Sequence, residues 1–293
     1  MSWPKPDSEH LMVSASEMLK IESELIARGF PEPALMEKVG EGMKIWFLEH
    51  FYLLEKGVVV VVGPGHNGGD GLVIARELHL LGIEVSIWCP LPINKTLTAQ
   101  HLSFVNWLGV RQLNIPPDAA AECLWIEALF GLGQKRALPN FLEKLFQERE
   151  MLQPGRLVSL DVPAGICSDY GISLQEFSPV ASFTLSVGLI KTGLVQDVSI
   201  QNVGSIEKID IGIPTKTIQD VSKDAVLRVS RQDLRTFPYP KPVDSAGKYQ
   251  RGRSLVIAGS NEFPGAGLLS LKGAIASGVG SLKASIPSVL ADS

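Results

Sequence analysis

Five consecutive valines run straight into a glycine cluster, GVVVVVGPGHNGGDG over residues 57–71, and few folds accommodate that junction. A short β-branched run without alternation reads as a strand buried on both faces, which points to a parallel sheet covered on two sides. Five of the nine residues from Gly63 to Gly71 are glycine. Behind them, GLVIARELHLLG places Leu72, Ala75, Leu78 and His79 at helical spacing and stops on Gly82. The stretch is expected to be strand, glycine turn and helix.

Gly63, Gly65 and Gly68 satisfy the dinucleotide fingerprint GxGxxG. Two features argue against a nucleotide-dependent oxidoreductase. The following strand, EVSIWCP, has no acid at its C-terminal end to hold a ribose hydroxyl. Asp70 is expected in the first turn of the helix, where a pyrophosphate would lie and be repelled. The bland reading is a turn capped by Asp70, with His66 a plain polar loop residue. The chemical reading is a ligand loop, in which backbone donors, the Asn67 amide and the Asp70 carboxylate face a small molecule.

Two further strand ends share this design. IEALFGLG (126–133) puts Glu127 near the end of a strand that closes in two glycines, and SLDVPAG (159–165) puts Asp161 before a Pro-Ala-Gly turn. Open parallel sheets bind ligands at the carboxyl ends of their strands, near a switch in strand order. Three glycine-marked ends, each with a carboxylate, therefore define one candidate site.

Elsewhere, Ser14 to Glu17 form a capping box for a helix that stops at Gly29, and a second helix is expected from Pro33 to about Leu54. Strands and helices then alternate at short spacing, which predicts an α/β fold with a mainly parallel sheet and helices on both faces. A polar, proline-rich shift near Pro214 divides the chain into a domain at 1–215, a linker at 216–247 and a new unit at 248–293 that opens with SLVIAG. The net charge of −4 shows no basic footprint for nucleic acid. No apolar run is long enough to span a membrane, and the N-terminus lacks a signal-peptide pattern, so a cytoplasmic setting is expected. Cys89, Cys123 and Cys167 are odd in number and form no CxxC pair, which argues against a disulfide framework or structural zinc. Trp88, Trp107 and Trp125 read as core or interface aromatics.

At MEKVG, GPGHNGGDGLVIAR, EALFGLG, LDVPAGI, SVGLIKTGL and DIGIP, in that order from Ser14 to Pro214, the chain resembles the NAD(P)H-hydrate epimerase family, the YjeF N-terminal domain. The resemblance implies a three-layer Rossmann-like sandwich, usually a homodimer, that interconverts the R and S epimers of NADHX or NADPHX at C6 of the nicotinamide ring. By the same resemblance His66, Asn67, Gly68, Gly69 and Asp70 form one substrate loop. Gly131, Leu132, Gly133, Gln134, Lys135, Arg136 and Ala137 form a second. Asp161 contacts the reacting ring and is the expected acid/base. A potassium ion would use Asn67, Glu127 and, by its main chain, Ala164. The family usually has Asn at the position of His66, Asp at Glu127 and Ser at Ala164. Relatives that act as non-catalytic dimerising scaffolds lack the catalytic carboxylate, which this chain keeps.

From Lys248 onward, KYQRGRSLVIAGS and FPGAGLLSLKGAIASGVGSLKASIPS resemble the start of the ADP- or ATP-dependent NAD(P)H-hydrate dehydratase, a ribokinase-like fold often fused to the epimerase. That resemblance implies an incomplete ribokinase-like β-α-β segment, with Ala266 as its substrate contact. The family's usual His before Lys248 is Gly247, and its nucleotide-binding GxGD-type motif is not in the chain.

Overall fold

A computed structural model describes residues 4–221, 226–236 and 245–288. The chain opens with β1 (Leu11–Val13), α1 (Ala15–Ala27), α2 (Glu32–Glu49), β2 (Val58–Val62), α3 (His66–Leu80), β3 (Val85–Trp88), α4 (Thr96–Trp107) and β4 (Arg111–Leu113). It continues through β5 (Leu124–Ala128), α5 (Asn140–Leu152), β6 (Leu157–Leu160), β7 (Phe183–Val187), β8 (Ile190–Lys191), α6 (Ile200–Val203), β9 (Ser205–Ile209) and α7 (Thr215–Val221). Then follow β10 (Val226–Leu227), α8 (Arg231–Thr236), β11 (Arg253–Ile257), α9 (Pro264–Ala276) and β12 (Ser281–Ser285).

Seven strands pair in parallel in the order β4-β3-β2-β5-β6-β7-β9. The order runs one way from β2 and the other way from β5, so the switch point lies between these two strands, where a crevice forms. All five valines of β2 are buried. Val58, Val60 and Val62 pack with Val39, Met43 and Leu72 of α2 and α3, while Val59 and Val61 pack with Trp125, Leu142 and Phe146. Alternate side chains of a strand point to opposite faces, so each face needs its own cover. The result is the expected three-layer Rossmann-like α/β sandwich.

Helix α3 starts at His66, earlier than the sequence suggests. Asp70 is therefore in the second turn and is not a cap. The glycines on either side of it are explained by packing. A Cβ on Gly68 would run into the carbonyl oxygen of Gly63, and one on Gly69 or Gly71 would lie 2.5 Å from Met36 Cε or Ala128 Cβ. Gly40 plays the same part in α2, where a Cβ would strike Val73 of α3. Gly42 on the same helix packs instead on β9, where a Cβ would lie 2.7 Å from Ile209 Cγ2.

A second sheet joins β1 to β8 in parallel and to β10 antiparallel. This moves the expected domain boundary. Leu11 faces Leu227, Arg228 N–H donates to His10 O at 2.8 Å, and the His10 ring nitrogens lie 2.6 Å from Asp7 and 2.9 Å from Asp233. The first compact unit accordingly runs to Leu234, well into the stretch read as a linker. The rest of that linker includes residues 237–244, which lie outside the described residues, as do 222–225.

The second unit, from Arg235, is a parallel β11–β12 pair with α9 between its strands in sequence, the β-α-β pattern expected for the tail. Its Leu255, Ile257, Leu269 and Ile275 are exposed. Among the described residues no helix is long and apolar enough to cross a membrane.

Candidate active site

The strand β6 ends at Leu160, and the next residue, Asp161, has φ +65°, the one non-glycine residue in the left-handed region among those described. Such a conformation costs energy and persists only where its surroundings enforce it. They do so here. Asp161 N–H donates to Leu185 O at 2.8 Å, Val187 N–H donates to Asp161 Oδ1 at 3.2 Å, and the Lys191 ammonium lies 2.5 Å from the same oxygen. Lys191 is fully buried and also donates to Val187 O at 2.6 Å and Ser186 Oγ at 3.3 Å, so its three protons are all used.

Asp161 Oδ2 accepts no hydrogen bond among the described residues. A Cβ on Gly131 would come within 3.1 Å of it and within 3.6 Å of Asn67 Cβ, so the glycine keeps that oxygen open. Asn67 Nδ2 donates to Leu160 O at 3.3 Å, while its Oδ1 is buried without a partner. A buried acceptor left in this state points to a missing donor or cation.

These groups line one cavity of about 670 Å³, within the usual range for a small-molecule site. Its apolar lining includes Leu19 and Ile26 of α1, Leu35 and Met36 of α2, and Leu129 and Phe130 after β5. Its polar lining includes Glu22, His66, Asn67, Asp70, Gln134 and Asp161. His66 sits at the rim, partly exposed, with Nδ1 3.3 Å from Glu32. Asp70 is held well above the usual carboxyl range, first by burial and then by the charges of Asp161 and Glu22, against a smaller opposing effect of Lys191. Glu22 is pushed up to about 7, again first by burial and then by Asp161. The site thus pairs an ion-paired carboxylate with two carboxyls held toward their neutral form, which is the condition for separate acid and base roles.

The expected residues do not all converge. Gly131, Leu132, Gly133 and Gln134 line the cavity, but Lys135, Arg136 and Ala137 are exposed and do not. Gln134 also braces the site, since its Oε1 accepts from Gly165 N–H at 2.6 Å. Gly68 and Gly69 are packed inward and are not among the lining residues, although their neighbours Asn67 and Asp70 are. Ala266 is exposed in the first turn of α9, in the second unit. Two residues with strong local effects carry no role in the sequence reading, Glu22 and Lys191. Lys191 stands in SVGLIKTGL as a cation in an apolar run, the local signal that marks it.

Potassium fits this site poorly. Asn67 Oδ1 is a suitable oxygen, but Glu127 has its oxygens engaged. Oε1 accepts from Leu129 N–H at 2.7 Å and Oε2 from Ala164 N–H at 3.1 Å. Glu127 is fully buried, does not line the cavity, and burial lifts its carboxyl to about 7 against those hydrogen bonds. It acts as a brace between the turns after β5 and β6, and no step proposed below passes through the ion.

Comparison with known proteins agrees with this architecture. The chain is 37% identical over 282 residues to a bifunctional NAD(P)H-hydrate repair enzyme Nnr of Synechocystis sp., covering 94% of this chain and 53% of that one. It is 32% identical over 187 residues to an NAD(P)H-hydrate epimerase of Levilactobacillus brevis, covering 63% of this chain and 86% of that one. The crystal structure of yeast ynu0, YNL200c, superposes with a TM-score of 0.55 at 27% identity, over 62% of this chain and 82% of that one. The chain thus spans about half the length of the bifunctional relatives it matches. A family model described as YjeF-related protein N-terminus matches residues 32–193, more than half of the chain and most of the site, and the chain belongs to that family.

Proposed function

We propose that this chain epimerises hydrated nicotinamide nucleotides, NADHX or NADPHX, at C6 of the nicotinamide ring, as a metabolite-repair isomerase. The observation that carries the reading is Asp161, locked by Lys191 through one oxygen while the other faces the cavity beside Gly131 and Asn67. Epimerisation at C6 requires the hydroxyl to leave or the ring to open, and then addition on the other face. Either route moves protons, and a carboxylate fixed at the reacting carbon can exchange them in both directions. The apolar walls suit the reduced ring, and Asp70, pushed toward its neutral form by burial, is placed to donate a hydrogen bond to it.

Neither alternative is favoured. A scaffold has no use for a strained, ion-paired Asp161, and a dehydrogenase would place a pyrophosphate against Asp70. The reading also includes self-association as a homodimer, supported by the family resemblance, and a cytoplasmic setting, supported by the three free cysteines. The potassium effect is small, for the reasons given by Glu127 and Ala164. The lyase chemistry of the bifunctional relatives, with its ADP or ATP, would need the complete second domain. The test is direct: purified R epimer of NADPHX, incubated with the chain and resolved by chromatography, should reach the mixed R/S equilibrium faster than in buffer. An unchanged solvent rate contradicts the reading.

A further inference from the structure

We propose that Glu22 is a second catalytic residue of this site, the acid that protonates the departing C6 hydroxyl while Asp161 takes the proton of the incoming water. The inference rests on the epimerase reading. Its first support is position. Ala15, Met18, Glu22 and Leu25 share one face of α1, and the other three are buried apolar residues. A carboxyl in the place where that stripe calls for a hydrophobe needs a reason. The other glutamates of α1 have structural partners: Glu17 closes the capping box and Glu24 lies 3.8 Å from Arg28. Glu22 makes no hydrogen bond or ion pair among the described residues. It lines the cavity on the α1 wall, whereas Asp161 enters from the carboxyl end of β6. The buried, unpartnered Asn67 Oδ1 in the same cavity is an independent sign that a polar ligand completes the site.

The second support is the charge environment of Glu22. The charged groups acting on Glu22 are Asp161 and Glu32, which hold its proton on, and Lys191, which opposes them; Asp70 feels Glu22 in turn. With burial as the largest cause, Glu22 comes to about 7, so it can release and regain a proton at neutral pH. Asp70 is raised as well, first by burial and then by the charges of Asp161 and Glu22. In the forward step the C6–O bond breaks and its electron pair goes to the hydroxyl oxygen. That oxygen takes the Glu22 proton and leaves as water, and the N1 lone pair forms an N1=C6 iminium. Water then adds to C6 from the other face, its oxygen supplies the new bond, and its surplus proton goes to Asp161. The site ends with Glu22 ionised and Asp161 protonated; the reverse reaction uses them in exchanged roles, and solvent exchange resets them.

The experiment uses the intact 293-residue chain and the pH dependence of kcat on purified NADPHX epimers. In the forward direction, in which Glu22 is the acid, the wild type should lose kcat as the pH rises through about 7, where Glu22 loses its proton. Glu22→Gln should lower kcat about 10²-fold and abolish that decline, while Glu22→Asp should retain a decline at reduced kcat. A Glu22→Gln chain with wild-type kcat and the same decline overturns the inference and leaves the epimerase reading standing. A wild-type chain that leaves the epimers unchanged overturns the epimerase reading itself, and with it this role. Carboxyl-carbon NMR provides a readout independent of turnover: Glu22 should titrate near 7, and a midpoint at the ordinary 4.5 overturns the assignment even if the variants are poorly folded.

Discussion

Lys191 Nζ lies 2.5 Å from Asp161 Oδ1, and both side chains are at least nine-tenths buried, so each is the other's main electrostatic support. The two residues are 30 positions apart, one after β6 and one in β8, and β8 is held by β1. The short second sheet therefore aims the site's central carboxylate. Removing one member of a buried ion pair leaves the other uncompensated. Lys191→Met is expected to lower stability by about 3 kcal/mol in urea denaturation. A cost below about 1 kcal/mol, the range of an exposed pair, would show that the pair does not fix Asp161.

The packing of the glycines predicts a graded response. Gly68→Ala drives its methyl group into the backbone carbonyl of Gly63, which cannot move without disturbing β2. Gly69→Ala meets side-chain ends instead, Met36 Cε and Sδ and, at 3.1 Å, the Thr98 hydroxyl. The first should cost about 3 kcal/mol and the second about 1, with Met36→Ala relieving the second but not the first. Equal costs, or substrate binding lost with stability intact, would return these glycines to a ligand-contact role.

Glu127 gives a pH signature. Its carboxyl titrates near 7 when folded, above its ordinary 4.5, so the unfolded chain gives up this proton at lower pH than the native one. Its contribution is fullest below pH 4.5, falls as the pH rises through 7, and is level above that, a change on the order of 3 kcal/mol. Glu22 adds to the same window. Glu127→Gln should flatten the decline between pH 4.5 and 7 and, by depriving Leu129 or Ala164 N–H of its acceptor, cost about 1–3 kcal/mol below it. An unaltered profile contradicts this account of Glu127. Melting temperatures should also be equal in potassium and sodium chloride, because an ion bound only by the native state would raise the first.

Much of this was legible from the chain itself. The unalternated valines specified a strand covered on both faces, and the capping box at Ser14 and Glu17 forms as read. What escaped were relationships over long sequence distances. β10 is two residues long and pairs with a strand more than two hundred positions earlier, so its polar surroundings read as linker. Glu22 carries no local mark, because nothing near it in the sequence shows that its stripe on α1 faces the cavity. The family resemblance makes Glu127 a potassium ligand, and nothing local in the sequence shows that Ala164 N–H occupies its carboxylate.

The revised boundary has a consequence for truncation. A chain ending after Leu234 keeps β10 and the His10–Asp233 contact and should melt within about 4 °C of the full chain, a stability loss of no more than about 1 kcal/mol. A chain ending at Thr215 loses both and should melt lower. Equal melting of the two truncated chains would restore the boundary at 215.

The central claim, that Asp161 does the chemistry, is tested most directly by following R-NADPHX to its R/S equilibrium with wild-type and Asp161→Asn chains of matched folded fraction. The substitution keeps the shape of the side chain and an acceptor for Lys191 and Val187 N–H. The wild type should accelerate the approach to equilibrium, and Asp161→Asn should do so at least about 10²-fold less. An Asn variant that epimerises at the wild-type rate would contradict the account.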